Sequence, residues 1–338
     1  MASATPVHRS AIDPLVVDNL TVSFPIRGDS KRLTAVNDLS FTLRPGEVLG
    51  IVGESGCGKS TLARTVIGLG AASAGQIRLG AVPLGTRRDR ALARRIQMVF
   101  QDPMSSLNPR MTVGKMLAEV LLVHRIVPRL GVRLRLEELM KMVELPPSVL
   151  DQRPQSLSGG QRQRVGIARA LAPEPEILIL DEAIASLDVS VQASVLQLLR
   201  SLREELGMSM IFISHDLGAV RGLCSRVAVM YLGRIVEIGP VEDVLRHPAH
   251  PYTRALIEAE PDLDRLRTPG SAGLQGEPPS AIDLPLGCAF HARCPIARDS
   301  CAESVPPLET DQVHDQACFF PLTTMLSIPT ALEPEMEQ

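Results

Sequence analysis

Eight residues, Gly53-Glu-Ser-Gly-Cys-Gly58-Lys59-Ser60, constrain this chain more than any others. The spacing GxxxxGK[ST] cradles phosphate when a strand precedes it and a helix follows, because glycines let backbone N–H groups turn inward and the helix start presents its positive dipole end. Both flanks are present. Glu47 to Gly53 reads EVLGIVG, a short apolar run that predicts a buried strand, and Thr61 to Gly70 places Leu62, Val66 and Leu69 on one helical face. In such a loop Lys59 reaches the β and γ phosphates and Ser60 holds Mg²⁺, while Gly53, Glu54, Ser55, Gly56, Cys57, Gly58 and Thr61 wrap the nucleotide. Cys57 reads as a small filler residue rather than a redox group.

The rest of the chain alternates. Residues 15 to 26 (LVVDNLTVSFPI) and Leu33 to Leu43 alternate in hydropathy and predict an antiparallel β start. Arg110 to Leu171 is rich in Leu, Met, Arg and Glu at helical spacing. Ile177 to Glu182, Met210 to Ser214 and Val227 to Met230 are apolar runs separated by helical segments, one of them Val191 to Leu206, which predicts a parallel sheet. Val227 to Gly239 reads as a hairpin turning at Gly233, and from about Pro261 the composition shifts to Pro, Gly and Cys.

Four further motifs follow the phosphate loop in order: MVFQDP with Gln101, LSGGQ over Leu157 to Gln161, LILDE with Asp181 and Glu182 at a strand end, and ISHD with His215. This set resembles the ABC ATPase family over roughly residues 15 to 258, with LSGGQ about 100 residues after the phosphate loop as its most specific element. The resemblance implies an α/β P-loop NTPase fold with an antiparallel β subdomain and a helical subdomain. It implies that Asp181, with Ser60 and Gln101, holds Mg²⁺, that Glu182 polarises the attacking water, and that His215 keeps water and base aligned. Phe24 is the candidate to stack on adenine, with a core role as the alternative. Ser158, Gly159, Gly160 and Gln161 open a helix and form an anion site that, in the family, closes on the γ phosphate of the opposite subunit; Asp188 matches the loop joining the two sites. One departure stands out: Ala183 and Ile184 replace the proline-containing run usual after the paired acids, which predicts a less rigid loop but leaves Glu182 and Asp188 in place.

GESGCGKST, Phe100 to Gly114, Ser158 to Leu171 and HPYTRAL (His250 to Leu256) narrow the resemblance to the ATPases of oligopeptide, dipeptide and nickel importers, most like the second of the two paired ATPases. The resemblance implies an ATP-hydrolysing motor at the cytoplasmic face of the membrane, peripheral through two permease subunits. Its other partners are an extracytoplasmic substrate-binding protein and a second, paralogous ATPase, so a heterodimer is favoured over a homodimer. Import of nickel or another small solute, and a soluble ABC ATPase outside transport, are the alternatives. The expected boundaries are 1–14 for a flexible tail, 15–258 for the nucleotide-binding domain with its helical subdomain at about 102–171, and 259–338 for a C-terminal extension.

That extension carries Cys288, Cys294, Cys301 and Cys318, separated by five, six and sixteen residues, which is not the CxxC spacing of zinc ribbons. Some family members carry a [4Fe–4S] cluster there; a cluster, unligated buried thiols and zinc all stay open. His291 and His314 read as surface residues rather than ligands.

Composition excludes other classes. A net charge of −3 over 338 residues gives no basic field for nucleic acid. The start MASATPVHRSAIDP lacks the apolar core of an export signal, and the most apolar stretch, Met116 to Val127, is broken by Glu119, His124 and Arg125.

Overall fold

The computed structural model describes residues 12–185, 187–260, 276–310 and 314–322. Most of the expected tail, residues 1–11, lies outside them, as does Ser186. In chain order the strands are β1 (Leu15–Pro25), β2 (Arg32–Leu43), β3 (Val48–Val52), β4 (Ala74–Leu79), β5 (Val82–Pro83), β6 (Ile96–Val99), β7 (Ile177–Asp181), β8 (Ser209–Ile213), β9 (Arg226–Tyr231), β10 (Arg234–Pro240), β11 (Glu309–Thr310) and β12 (Asp315–Gln316). The helices are α1 (Lys59–Val66), α2 (Arg90–Arg95), α3 (Pro103–Ser106), α4 (Val113–Val123), α5 (Val132–Met142), α6 (Gly159–Leu171), α7 (Val189–Leu206), α8 (Leu217–Leu223), α9 (Val241–Arg246), α10 (Pro251–Ala259) and α11 (Asp299–Glu303).

Two sheets organise these elements. The smaller is antiparallel in the order β2-β1-β4-β5; the larger runs β11-β12-β10-β9-β3-β8-β7-β6 among the described residues. Its centre, β9-β3-β8-β7-β6, is parallel, as continuous apolar runs require when both faces are covered. Alternate residues of one strand therefore serve two cores. Val48, Leu178, Leu180, Met210, Phe212 and Val229 face α4 to α8 on one side, while Leu49, Ile51, Ile179, Ile211 and Ala228 face β1, β2 and α1 on the other.

Helix α1 is shorter than its apolar spacing predicts. Leu62 and Val66 are buried between the sheets, each contributing about 1.5–3 kcal/mol by leaving water. The helix ends at Val66, however, and Leu69 is 66% exposed, because the chain turns through Gly68 in the left-handed region before a third helical turn forms. The predicted hairpin is β9–β10: Tyr231 pairs Arg234 across Leu232 and Gly233, both at positive φ, the two-residue turn that matches strand twist. Its tip rests on the phosphate loop, where the Gly233 N–H donates to the Cys57 carbonyl at 2.9 Å.

The extension does not stand apart from the cassette. Strand β12 pairs β10, through Glu237 with Gln316, and lengthens the main sheet. The Thr34 N–H donates to the Ala281 carbonyl at 2.9 Å, tying the extension to β2 as well.

Candidate active site

The phosphate loop leaves the buried strand β3 and enters α1 at Lys59. Two glycines make that path possible. Gly53 has φ +150°, and a Cβ there would meet the Met230 carbonyl at 2.1 Å; Gly58 has φ +107°, and a Cβ there would meet the Ala35 carbonyl at 2.0 Å. The Lys59 ammonium is 5% exposed and turns back on the loop, donating to the Gly53 and Glu54 carbonyls at 2.7 and 2.9 Å.

Strand β7 brings the acidic pair to the same place. The Ser60 hydroxyl donates to Asp181 Oδ1 at 2.9 Å, joining two groups 121 residues apart. Burial pushes the Asp181 carboxyl above the usual carboxylate range, opposed by that hydrogen bond and by the nearby Arg64 and Lys59 charges. Glu182 lies just past the strand end at φ +46°, a left-handed conformation costing about 1 kcal/mol in a non-glycine residue. The strained turn is held by its N–H, which donates to the Ile213 carbonyl at 3.0 Å. Its carboxylate accepts from Gln101 Nε2 at 2.6 Å. Ala183 and Ile184 are buried, so the run after the acids is anchored by apolar contact where the family's usual proline is absent.

Several of these residues line one cleft of about 300 Å³, formed by Phe24, Leu33, Ala35, Ser55, Gly56, Gly58, Lys59, Ser60, Thr61, Gln101 and Glu182. That size suits a nucleotide. Phe24 stands at its mouth, 45% exposed, rather than in the core. Cys57 is buried behind the loop, and burial pushes its thiol up, as an inert filler residue requires.

The other predicted site residues do not line this cleft. Ser158 caps α6, accepting from the Gln161 N–H at 3.2 Å while the Gln161 side chain accepts from the Ser158 N–H at 2.9 Å. Gly160 packs closely on Val191, where a Cβ would come within 2.7 Å. Asp188 begins α7, but its side chain does not cap the helix; it is exposed beside Val189, 82% exposed. His215 is exposed too.

Two contacts at the phosphate loop carry no sequence signal of their own. Tyr252, of the HPYTRAL run, accepts from the Glu54 N–H at 2.8 Å. Arg293, between two of the cysteines, forks onto the Glu54 carboxylate at 2.8 and 2.9 Å. The four cysteines line a single cavity together with Phe290, Pro306, Phe319 and Phe320. Burial pushes the Cys288 and Cys294 thiols up, and that of Cys318 to about 11. Among the described residues no group of three or more His, Cys, Asp or Glu side chains is arranged to hold a metal ion. His314 is not a surface residue: it is buried, with Nε2 2.5 Å from the buried Glu237 carboxylate.

A phosphate loop on a central parallel strand, facing paired acids at the end of a second such strand, defines a P-loop ATPase. Residues 36–185 match the ABC transporter family, and residues 236–301 match the oligopeptide/dipeptide transporter C-terminal region. The chain is 47% identical to the oligopeptide transport ATP-binding protein OppF of Escherichia coli over 320 residues, covering 90% of this chain and 95% of OppF. It is also 47% identical over 302 residues to a probable peptide ABC transporter ATP-binding protein of Sinorhizobium fredii, covering 87% and 86%. Among solved structures, cbiO1 of Clostridium perfringens, part of an ABC transporter complex, superposes with TM-score 0.61 at 30% identity, over 70% of this chain and 92% of that one. The ATP-binding cassette MJ0796, solved as a dimer bound to ADP and Pi, superposes equally well at 27% identity, over 67% and 98%. The chain belongs to the ABC transporter ATPases that carry the oligopeptide/dipeptide transporter C-terminal region. Like its family, it hydrolyses ATP in coupling to transport.

Proposed function

We propose that this chain is a motor subunit of an importer of oligopeptides or dipeptides, working through permease subunits at the cytoplasmic face of the membrane and served by an extracytoplasmic binding protein. The observation that carries this reading is similarity to peptide-transport ATPases across nearly the whole chain, extension included. Among the described residues no helix is long and apolar enough to cross a membrane, which is in keeping with a role through permeases.

ATP enters the cleft with its phosphates on the Gly53–Thr61 loop and its base toward Phe24. Bound Mg²⁺ would neutralise developing charge on the phosphates. Ser60 and Asp181 already sit at hydrogen-bond distance, and Gln101 is beside Glu182, so these groups suit a hydrated Mg²⁺ at this point. Lys59 exchanges its loop carbonyls for phosphate oxygens. Glu182 accepts the proton of the attacking water, with Gln101 beside it; the orienting role of His215 rests on its motif alone, since it does not line the cleft. Ser158 to Gln161 serve the nucleotide of a second cassette, since their helix start lies outside this chain's own cleft. That second cassette is a paralogous ATPase.

In the extension, Cys288, Cys294, Cys301 and Cys318 are the residues that would hold a [4Fe–4S] cluster, which would supply one-electron chemistry or a cross-link. The four thiols line one apolar cavity, but among the described residues no group of three or more is arranged to hold a metal ion, so neither a cluster nor zinc is preformed and the cluster reading rests on the family resemblance. Iron and acid-labile sulfide near stoichiometry in protein purified without oxygen are expected; neither element would remove the cluster. Peptide uptake by vesicles containing the co-purified complex tests the transport reading. Uptake that persists when Glu182→Gln replaces the wild-type chain would overturn it.

A further inference from the structure

Glu54 belongs to the phosphate loop, yet its side chain does not line the nucleotide cleft. It faces Arg293, 239 residues away, whose side chain is 6% exposed against 22% for Glu54. The guanidinium lies 5.9 Å from the ring centres of both Tyr231 and Phe290, and it donates two near-parallel bonds to the carboxylate. Such forked, charge-assisted pairs fix orientation as well as distance.

The same residue is held at two other points. Its N–H is accepted by the Tyr252 hydroxyl, and its carbonyl accepts from Lys59. Of the three tethers on Glu54, two come from Tyr252 and Arg293, both within residues 236–301, the span that matches the oligopeptide/dipeptide transporter C-terminal region.

We propose that Arg293 is a positioning residue of the nucleotide site: it neutralises Glu54 and, with Tyr252, holds the phosphate loop in the form that receives MgATP. The proposal rests on reading Gly53–Thr61 as the nucleotide loop. The electrostatic consequence is specific. Without Arg293, Glu54 is an uncompensated anion on a loop that must accept a polyphosphate, so both loop order and local potential turn against the ligand. Removing the negative charge should then repair much of what removing the positive charge damages.

Equilibrium titration of the full chain with MgATP, paired with thermal melting, tests this. Arg293→Ala is expected to weaken affinity about tenfold. Adding Glu54→Gln to it is expected to return affinity to within about threefold of wild type, a rescue that a purely structural role for Arg293 would not produce. If Arg293→Ala does not fold, Arg293→Lys keeps the charge and loses the fork. A several-fold loss at unchanged melting temperature supports the clamp, and wild-type affinity overturns it. A folded Arg293→Ala chain that binds like wild type, or a loss that Glu54→Gln leaves untouched, overturns the clamp alone. If the wild-type chain shows no binding that Lys59→Ala abolishes, the nucleotide reading falls and the clamp falls with it.

Discussion

The two halves of the ATP chemistry in this chain are built in opposite ways. The phosphate-loop half is closed on itself: Lys59 and Asp181 are buried, Ser60 is bonded to Asp181, and Gln101 to Glu182. The LSGGQ half is an exposed helix start whose polar groups are spent on each other in a capping box, beside an Asp188 that caps nothing. A buried polar cluster must satisfy itself before any ligand arrives, whereas an exposed helix start can wait in water for one. On the proposed reading, the closed half is where this chain binds its own nucleotide. On the same reading, the open half is where it meets another chain.

The largest effect expected is at Glu182. Glu182→Gln should lower ATP turnover of the assembled complex by about 10²- to 10⁴-fold while MgATP binding persists, measured by steady-state hydrolysis and titration. Next comes the open half. Ser158→Arg should cut turnover of the complex by about 10²-fold, the scale of losing one anion-stabilising donor group, and equal turnover would place Ser158 outside the chemistry. At the cleft mouth, Phe24→Ala should weaken MgATP binding by about 3- to 10-fold with no change in melting temperature, as loss of one stacking partner implies. An unchanged affinity would move adenine elsewhere.

The smallest effect concerns stability, and its sign follows from burial. The folded state raises the Asp181 carboxyl above its unfolded value, so the folded chain holds the proton more tightly. Its contribution is most favourable at low pH and is lost as pH rises from the ordinary carboxylate range through the raised value. At neutral pH without nucleotide, Asp181→Asn should thus raise the melting temperature by about 1–3 °C while abolishing turnover. A lower melting temperature would mean that the Ser60 bond outweighs the burial cost.

The closed half was legible in the sequence because its parts are local: a buried run, a glycine loop and a helix start, each with its own pattern. Leu69 departs from the helical expectation because periodicity continues past the point where Gly68 turns the chain. The run of Pro, Gly and Cys after residue 261 hid the strand β12, since two residues paired to an edge leave no alternation to detect. His314 departs from its expected surface position for a similar reason: its burial depends on Glu237, a partner 77 positions away. The Arg293 fork on Glu54 lies beyond any local pattern at all.

One titration tests most directly whether the two halves serve different nucleotides: MgATP into dilute, monomeric full-length chain, wild type against Ser158→Arg. Equal affinities are predicted, because the LSGGQ loop serves a different nucleotide from the one held by Lys59. A loss in the Ser158→Arg chain comparable to that of Lys59→Ala would contradict the account, by showing that both halves grip the same ATP.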